Sequence, residues 1–545
     1  MRKAEKISEA IGNIDDKLIT EAVNYHQNLK RRTHKSLFIR WIALTASLML
    51  VAGGVFYGSV WINSRRGKSG VGKSGDAEAL FQETRAKEGT EENTGWYVET
   101  FAEKTTQDTG TVRTEEAVSP MILTRPPFLD TGTVRTEEAV SGGESVTFNY
   151  WVSAEADIES AAEQETDLTW LETYQDALWQ FDQLMIPLIL GDTGEQNQVY
   201  SPTQLYLSLG ALAEVTGESN REQLLSLLGM EDTEDLDELV KALWLSGYKN
   251  TDASHSQFAN SLWVSKDYSV KEDACALLAE QYLTSVYNGG MGTDVLGYYV
   301  REWLKEQNDG FSSEQVEDIS LGEEVQLAVL STVTYQARWQ NVVQSTDVIS
   351  DRFYGYNKTT NCEWMRQEGD FVFYTGTHFR GVSLPLPEGD SMWLFLPDED
   401  TSVEELLLES FGEMAQLLRE EENWEGQREA GTLVLIPKFE MASELDLKTA
   451  LQDCAVTDIF SRERADFSGL TDDQVCLTEL KQVLAFGVSG REFLNVPIEE
   501  ADEQVISVEE STEPEIKMNR PFFVMVTNVQ HLPVLAGVVY EPAQQ

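Results

Sequence analysis

Histidine and cysteine are scarce in this chain, five and four residues among 545. The four cysteines, Cys275, Cys362, Cys454 and Cys476, lie far apart. No CxxC pair or Cys/His cluster spells out a zinc site, so buried free thiols are the expectation. Neither G-x-S-x-G nor H-E-x-x-H occurs, and the histidines have no partners at motif spacing, so nothing points to an enzyme, a metal or a cofactor. His378 and His531 read as surface or strand-end residues. Basic residues are also few: 41 Lys and Arg against 93 Asp and Glu, a net charge of −52. Phosphate neutralisation needs a basic face, which argues against a nucleic-acid partner. The same charge describes a soluble, self-repelling surface. Hydrophobic residues make up 41% of the chain, enough for a large folded domain plus appendages.

Those appendages come first. Residues 1–40 read as an amphipathic helical tail, "AEKISEAIGNIDDKLITEAVNYHQNLKRR", ending in a basic cluster. "WIALTASLMLVAGGVFYGSVWI", residues 41–62, carries no charge and is long enough to span a bilayer. Trp41 and Trp61 stand at its two ends as interfacial anchors. Its distance from the N-terminus favours an uncleaved anchor over a signal peptide. A weak charge bias puts the tail on the cytoplasmic side and the remainder outside, with the lipid bilayer as a partner of residues 41–62. Residues 63–167 read as an acidic stalk, rich in Gly, Thr, Glu and Ser. Within it "DTGTVRTEEAVS" occurs at 108–119 and again at 130–141. Two copies without a hydrophobic face do not make a solenoid, so a tolerant spacer is the simpler reading. The stalk also holds "GKSGVGKS", Gly67 to Ser74, which satisfies the letters of a phosphate-binding loop. Such a loop needs a buried strand before it and a helix after it. Here a membrane span precedes it, so no nucleotide is expected.

From residue 168 to 545 the texture is that of a folded domain. "YQDALWQFDQLMIPLIL" has helical spacing. "SPTQLYLSLGALAEVTGESNREQLLSLLG" reads as two helices joined at "TGESN", with Ser201 as N-cap and Pro202 at the first helical position. Strand-like runs follow: "VQLAVLSTVTYQA", "DFVFYTG", "SMWLFLP", "TLVLIPKFEMAS", "FFVMVTN" and "PVLAGVVYEP". Helices first and strands later argue an α+β fold with a large, mostly antiparallel sheet.

In that order the blocks resemble the serpin family from about residue 168 to 543. Asn197, Ser201, Pro202 and Gly229 fit the first helical block. "VQLAVLSTVTYQARWQ" is similar to the central strand that ends at the breach tryptophan, here Trp339. Pro437-Lys438-Phe439, Asp446-Leu447 and Ala465-Asp466-Phe467-Ser468-Gly469 carry the most specific part, and "EIKMNRPFFVMVTN" and "LAGVVYEP" close the domain. The resemblance implies helices on a large central sheet, smaller sheets, and an exposed reactive loop near the C-terminus. It also implies inhibition of serine or cysteine proteases. A protease attacks the loop, an acyl-enzyme forms, and the cut loop enters the sheet as a new strand. Gly490 falls on the hinge glycine of that loop.

A residue that becomes part of a central strand must suit it. Alternate side chains face the core, and each backbone N–H should be able to pair. Counted from Gly490, the inward positions are Arg491, Phe493, Asn495 and Pro497. Burying an unpaired guanidinium costs several kcal/mol, overpacking by a phenyl ring about 1–3 kcal/mol, and proline removes a ladder bond. A slip by one residue turns Leu494, Val496 and Ile498 inward but also Glu492. These residues favour the alternative of a non-inhibitory binding or scaffold module with a serpin fold. Beneath the sheet, Gln204, Ser331 and Leu480 stand where the family resemblance implies a serine, an asparagine and a histidine. Gln204 and Ser331 are able to bond each other. Counting from the hinge puts the scissile bond at Gln504–Val505, and counting back from "NRPF" at Glu510–Ser511. Neither offers Arg or Lys, which disfavours a trypsin-like target. A protease accepting Gln, Glu or a branched residue such as Ile506 fits better.

Overall fold

The computed structural model describes residues 134–141, 144–164, 166–308, 313–338, 348–488 and 515–542. The expected tail, the span 41–62 and the stalk up to residue 133 lie outside them. No described helix is long and apolar enough to cross a membrane.

Two sheets carry the fold. The first runs β1 (Val134–Ser141), β2 (Glu144–Ala154), β6 (Thr284–Gly289), β5 (Ser254–Ser265), β7 (Leu327–Ala337), β14 (Leu477–Val488), β13 (Phe439–Asp446), with β4 (Lys249–Asn250) on β5. The second runs β15 (Ile516–Lys517), β12 (Gln427–Pro437), β9 (Thr359–Thr375), β10 (Phe379–Pro385), β11 (Ser391–Pro397), β16 (Phe522–Thr527), β17 (Pro533–Val539), β3 (Gln198–Tyr200), with β8 (Val348–Tyr354) on β9. Pairing is antiparallel except for β5–β6, β7–β14 and β12–β15. The mostly antiparallel α+β architecture expected from the order of helices and strands is therefore present.

The helices are α1 (Ile158–Ala162), α2 (Thr169–Thr173), α3 (Gln175–Leu190), α4 (Pro202–Val215), α5 (Glu218–Leu228), α6 (Leu236–Gly247), α7 (Glu272–Gln281), α8 (Asp294–Gln307), α9 (Ser313–Val316), α10 (Val403–Arg419) and α11 (Lys448–Asp453). Helix α4 starts as its sequence predicts: the Ser201 side chain accepts from the Gln204 N–H, and Pro202 follows. All of α4 is buried except the half-exposed Glu214, because it lies between β5 and β7 on one side and β17 on the other. A helix this rich in apolar side chains, with its few polar groups buried too, belongs in such a place. Gly229 ends α5 at φ +72°, and a Cβ there would meet Ala177 Cβ at 2.8 Å. Both its backbone and its space call for glycine.

The stalk boundary at 167 needs correction. Residues 134–154 form the hairpin β1–β2, and β2 extends the first sheet through Trp151↔Asn288 to Ala154↔Val286. The physical reason is in "ESVTFNYWVSA", a run of β-branched and aromatic residues that completes the edge of β6. The second copy of the repeat supplies the outer strand β1. The expected free thiols are found at all four cysteines, three of them buried.

Asp182 on α3 is only 5% exposed, beside Tyr200 and Tyr206. Burial holds its carboxyl well above the ordinary value. A group whose value is raised by folding stabilises the fold below its unfolded value near 3.8 and loses that contribution as pH rises. Asp182→Asn is therefore expected to raise stability at pH 7.5 by about 1–3 kcal/mol and to leave it unchanged or lower at pH 4, as read by chemical denaturation at the two pH values.

Candidate functional site

The seam between β7 and β14 is where the two halves of the first sheet meet. β5 accompanies β7 through Ala337, and β13 accompanies β14 through Val488. Between β7 and β14 the parallel ladder runs from Leu477↔Leu327 to Gln482↔Ser331 and does not continue beyond. Each strand is therefore held on its outer side along its whole upper half, while the mutual ladder covers the lower half.

The last ladder pair coincides with a pin beneath the sheet. Leu480, Gln482, Leu484, Phe486 and Val488 all face inward and are buried. Gln482 is the one amide in that stripe and is 0% exposed. Its Oε1 accepts from the Ser201 N–H at 2.7 Å, and its Nε2 donates to the Ser201 carbonyl at 3.0 Å. Ser201 also donates its hydroxyl to the Val534 carbonyl at 2.6 Å. One residue thus joins α4, β14 and β17. Alongside, Ser208 donates to Asn260 Oδ1 at 3.1 Å, and Asn260 donates to Thr284 Oγ1 at 2.9 Å. This second chain ties α4 to β5 and β6.

Of the residues singled out from the sequence, Ser331 and Leu480 lie on the two strands of the seam, and Gln204 lies in the first turn of α4. Gln204 and Ser331 do not bond each other. Ser331 donates to the Lys481 carbonyl at 3.4 Å. Both amide atoms of Gln204 are buried without a partner. Leu480 is core, opposite Val329. Trp339 lies outside the described residues, just past the end of β7. Gly490, Arg491, Phe493, Pro497, Gln504, Val505, Ile506, Glu510 and Ser511 lie outside them too. Gln482 was missed because family position drew attention to Leu480. An amide two residues on, in an otherwise apolar inward stripe, was the available signal.

Both ends of the segment 489–514 are fixed. It leaves β14 at Val488, which pairs with Phe439. The chain returns at Glu515, whose N–H donates to Leu433 O at 2.9 Å and whose carboxylate meets Arg428. Ile516 and Lys517 pair with Val434 and Leu435. Lys517 bonds Asp351 and sits 4.8 Å from the Trp364 ring centre. The Lys517 ammonium holds the Asp351 carboxyl below its ordinary value, helped by the Arg352 N–H. Among the described residues no group of His, Cys, Asp and Glu could hold a metal ion.

A sheet whose central parallel pair is laddered along only half its length, with one of those strands followed in sequence by the edge strand of a second sheet, fits the serpin class of fold. The chain belongs to the serpin (serine protease inhibitor) family, whose model matches residues 181–542. It is similar to human neuroserpin, 22% identical over 361 residues, covering 62% of this chain and 84% of the relative. An uncharacterized serpin-like protein of Thermococcus kodakarensis is 24% identical over 294 residues, 52% of this chain and 65% of the relative. Among solved structures, the thermophilic serpin tengpin in its native state is similar at TM-score 0.58 and 21% identity, over 70% of this chain and 96% of that one. Thyroxine-binding globulin in complex with thyroxine is similar at TM-score 0.57 and 16% identity, over 68% of this chain and 100% of that one.

The two glutamines should respond oppositely to substitution. Gln482→Ala removes both bonds from this amide to the Ser201 backbone and leaves a hole, so a loss of about 2–4 kcal/mol is expected in denaturant titration. Gln204→Leu removes buried polar atoms that have no partners and should gain about 1–3 kcal/mol. Ser331→Ala, which loses only a long hydrogen bond, should stay within about 0.5 kcal/mol.

Proposed function

We propose that this chain is a membrane-tethered serpin that presents the loop 490–511 to a protease outside the cell and traps it by taking the cut loop into the first sheet. The observation that carries the reading is the half-length ladder between β7 and β14. Parting the five recorded pairs costs about 0.5–1.5 kcal/mol per hydrogen bond, whereas an entering strand forms ladders on both sides. The strand outward of each partner is already in place, so opening disturbs no other ladder. The span 41–62 anchors the chain, residues 1–40 face the cytoplasm, and the stalk carries the domain away from the bilayer. The loop composition selects against trypsin-like proteases. A nucleotide or nucleic acid has no part in this reading, in which the protein is a suicide substrate at most and not an enzyme.

A second reading, a serpin-fold binding or scaffold module, is favoured by Arg491, Phe493 and Pro497. Together these oppose insertion by about 5–10 kcal/mol, comparable with the stability of a whole domain.

Cutting the purified external domain within 499–511 separates the two. Trapping predicts that the melting temperature rises by tens of degrees and that an SDS-stable complex forms with a serine or cysteine protease. An unchanged melting temperature, with no such complex across a protease panel, would leave the binding module standing. Replacing Arg491, Phe493 and Pro497 together by Thr, Ala and Ala should enlarge the rise on cleavage, as followed by thermal melts.

A further inference from the structure

The upper end of β7 is tied to the second sheet by a buried polar cluster. Tyr335 lies four residues beyond the last β7–β14 ladder pair. Its hydroxyl donates to Asp390 Oδ2 at 2.9 Å. Asp390 sits in the turn between β10 and β11, and its side chain is 1% exposed. The ammonium of Lys249, on β4, lies 3.7 Å from Asp390 Oδ1 and is itself 11% exposed. That Oδ1 has no hydrogen-bond partner. In the same turn the Glu388 carboxylate accepts from Thr251, just before β5. Two hydrogen bonds and one ion pair therefore run from the β10–β11 turn to β7, the start of β5 and β4. All three cross from the second sheet to the half of the first sheet that lies on the β7 side of the seam.

We propose that the Tyr335–Asp390–Lys249 cluster is a latch that joins the upper end of β7 to the β10–β11 turn and governs how readily β7 parts from β14. The inference rests on the seam reading given above. Asp390 is a positioning residue, acting on the sheet through Tyr335.

The latch has a pH sense. Burial, the largest cause, raises the Asp390 carboxyl from 3.8 to about 6, against the pull of Lys249 and the Tyr335 hydrogen bond. Glu388 adds to the rise. From β5, Ser254 and Ser256 are buried and uncharged, while His255 alternates to the other face. The β16–β17 turn brings Val529 against Gly389, and His531 in that turn is exposed. Tyr335 stays protonated, its hydroxyl pushed well above the ordinary value by burial and by Asp390. Opening returns the Asp390 carboxyl to water and to its ordinary value. Protonation therefore favours the closed form, and the latch loosens as pH rises through about 6. A carboxyl that moves between 3.8 and about 6 changes the ratio of open to closed about tenfold between pH 5.0 and 7.5.

Hydrogen exchange of the intact, uncut protein tests this. The protection factors of the amides that hold the β7–β14 ladder, among 327–331 and 477–482, should be about tenfold higher at pH 5.0 than at pH 7.5. Asp390→Asn keeps an oxygen for Tyr335 but cannot titrate, and should flatten that dependence. Lys249→Met removes the cation and should move the transition to higher pH, which gives a second reading if the asparagine variant folds poorly. Equal protection at both pH values in the unaltered protein, or a tenfold dependence that survives Asp390→Asn, would overturn the latch. No protease or loop cleavage enters this measurement. A failure of trapping would show only as an unchanged melting temperature after the cut, and would leave the pH dependence of exchange in place.

Discussion

The amide of Gln482, bonded to both backbone groups of Ser201, is the contact on which the central seam depends. It fixes β14 to the N-terminus of α4 at the height where the β7–β14 ladder stops. Below it the two strands are laddered and packed over α4. Above it they are held by their outer neighbours and by ties to other layers. On β7 those ties include Asn308, which donates to Thr332 Oγ1 and to the Val333 carbonyl, and Tyr335, which reaches down to Asp390. A buried side-chain amide is strong only while both its partners are present. The seam is thus held by polar contacts that have to be exchanged, not simply stretched, when the strands move.

Several buried polar groups without partners lie on α4, on β5 beside β7 and in the β10–β11 turn. Gln204 has both amide atoms buried and unbonded, as are the hydroxyls of Ser254 and Ser256. Asp390 leaves one oxygen without a donor. Each such group costs about 1–3 kcal/mol in the closed form. A sheet that carries them is less stable than its apolar packing allows, which supports the proposed reading in which the closed form opens to take in a strand. The loop sequence pulls the other way, because Arg491, Phe493 and Pro497 suit water better than a sheet. On the proposed reading, the balance between these unpartnered groups and a loop sequence that resists insertion separates a trap from a binding module.

Much of the fold was legible in the sequence. Helices α3 and α4 follow from periodicity, and the Ser201–Pro202 start is a local signal that tertiary packing leaves intact. Strands β7, β11, β16 and β17 fall on the runs that suggested them. The hairpin β1–β2 was hidden because the domain edge was judged by helical periodicity, while "SVTFNYWVS" sits behind a low-complexity repeat. Gln482 was hidden by a different cause. Alternation puts it on the same face as Leu480, but what it bonds is set by α4, some 280 residues earlier. The Asp390 cluster is wholly tertiary: Lys249, Tyr335 and Asp390 share no local pattern.

The central claim is that β7 and β14 separate to admit the chain that follows Gly490. A crystal structure of the protein cut within 499–511 tests it most directly. The account predicts residues after Gly490 paired with β7 on one side and β14 on the other, with the Ser331–Gln482 pair gone. A cut protein that keeps the ladder from Leu477 to Gln482 in its present register would contradict it.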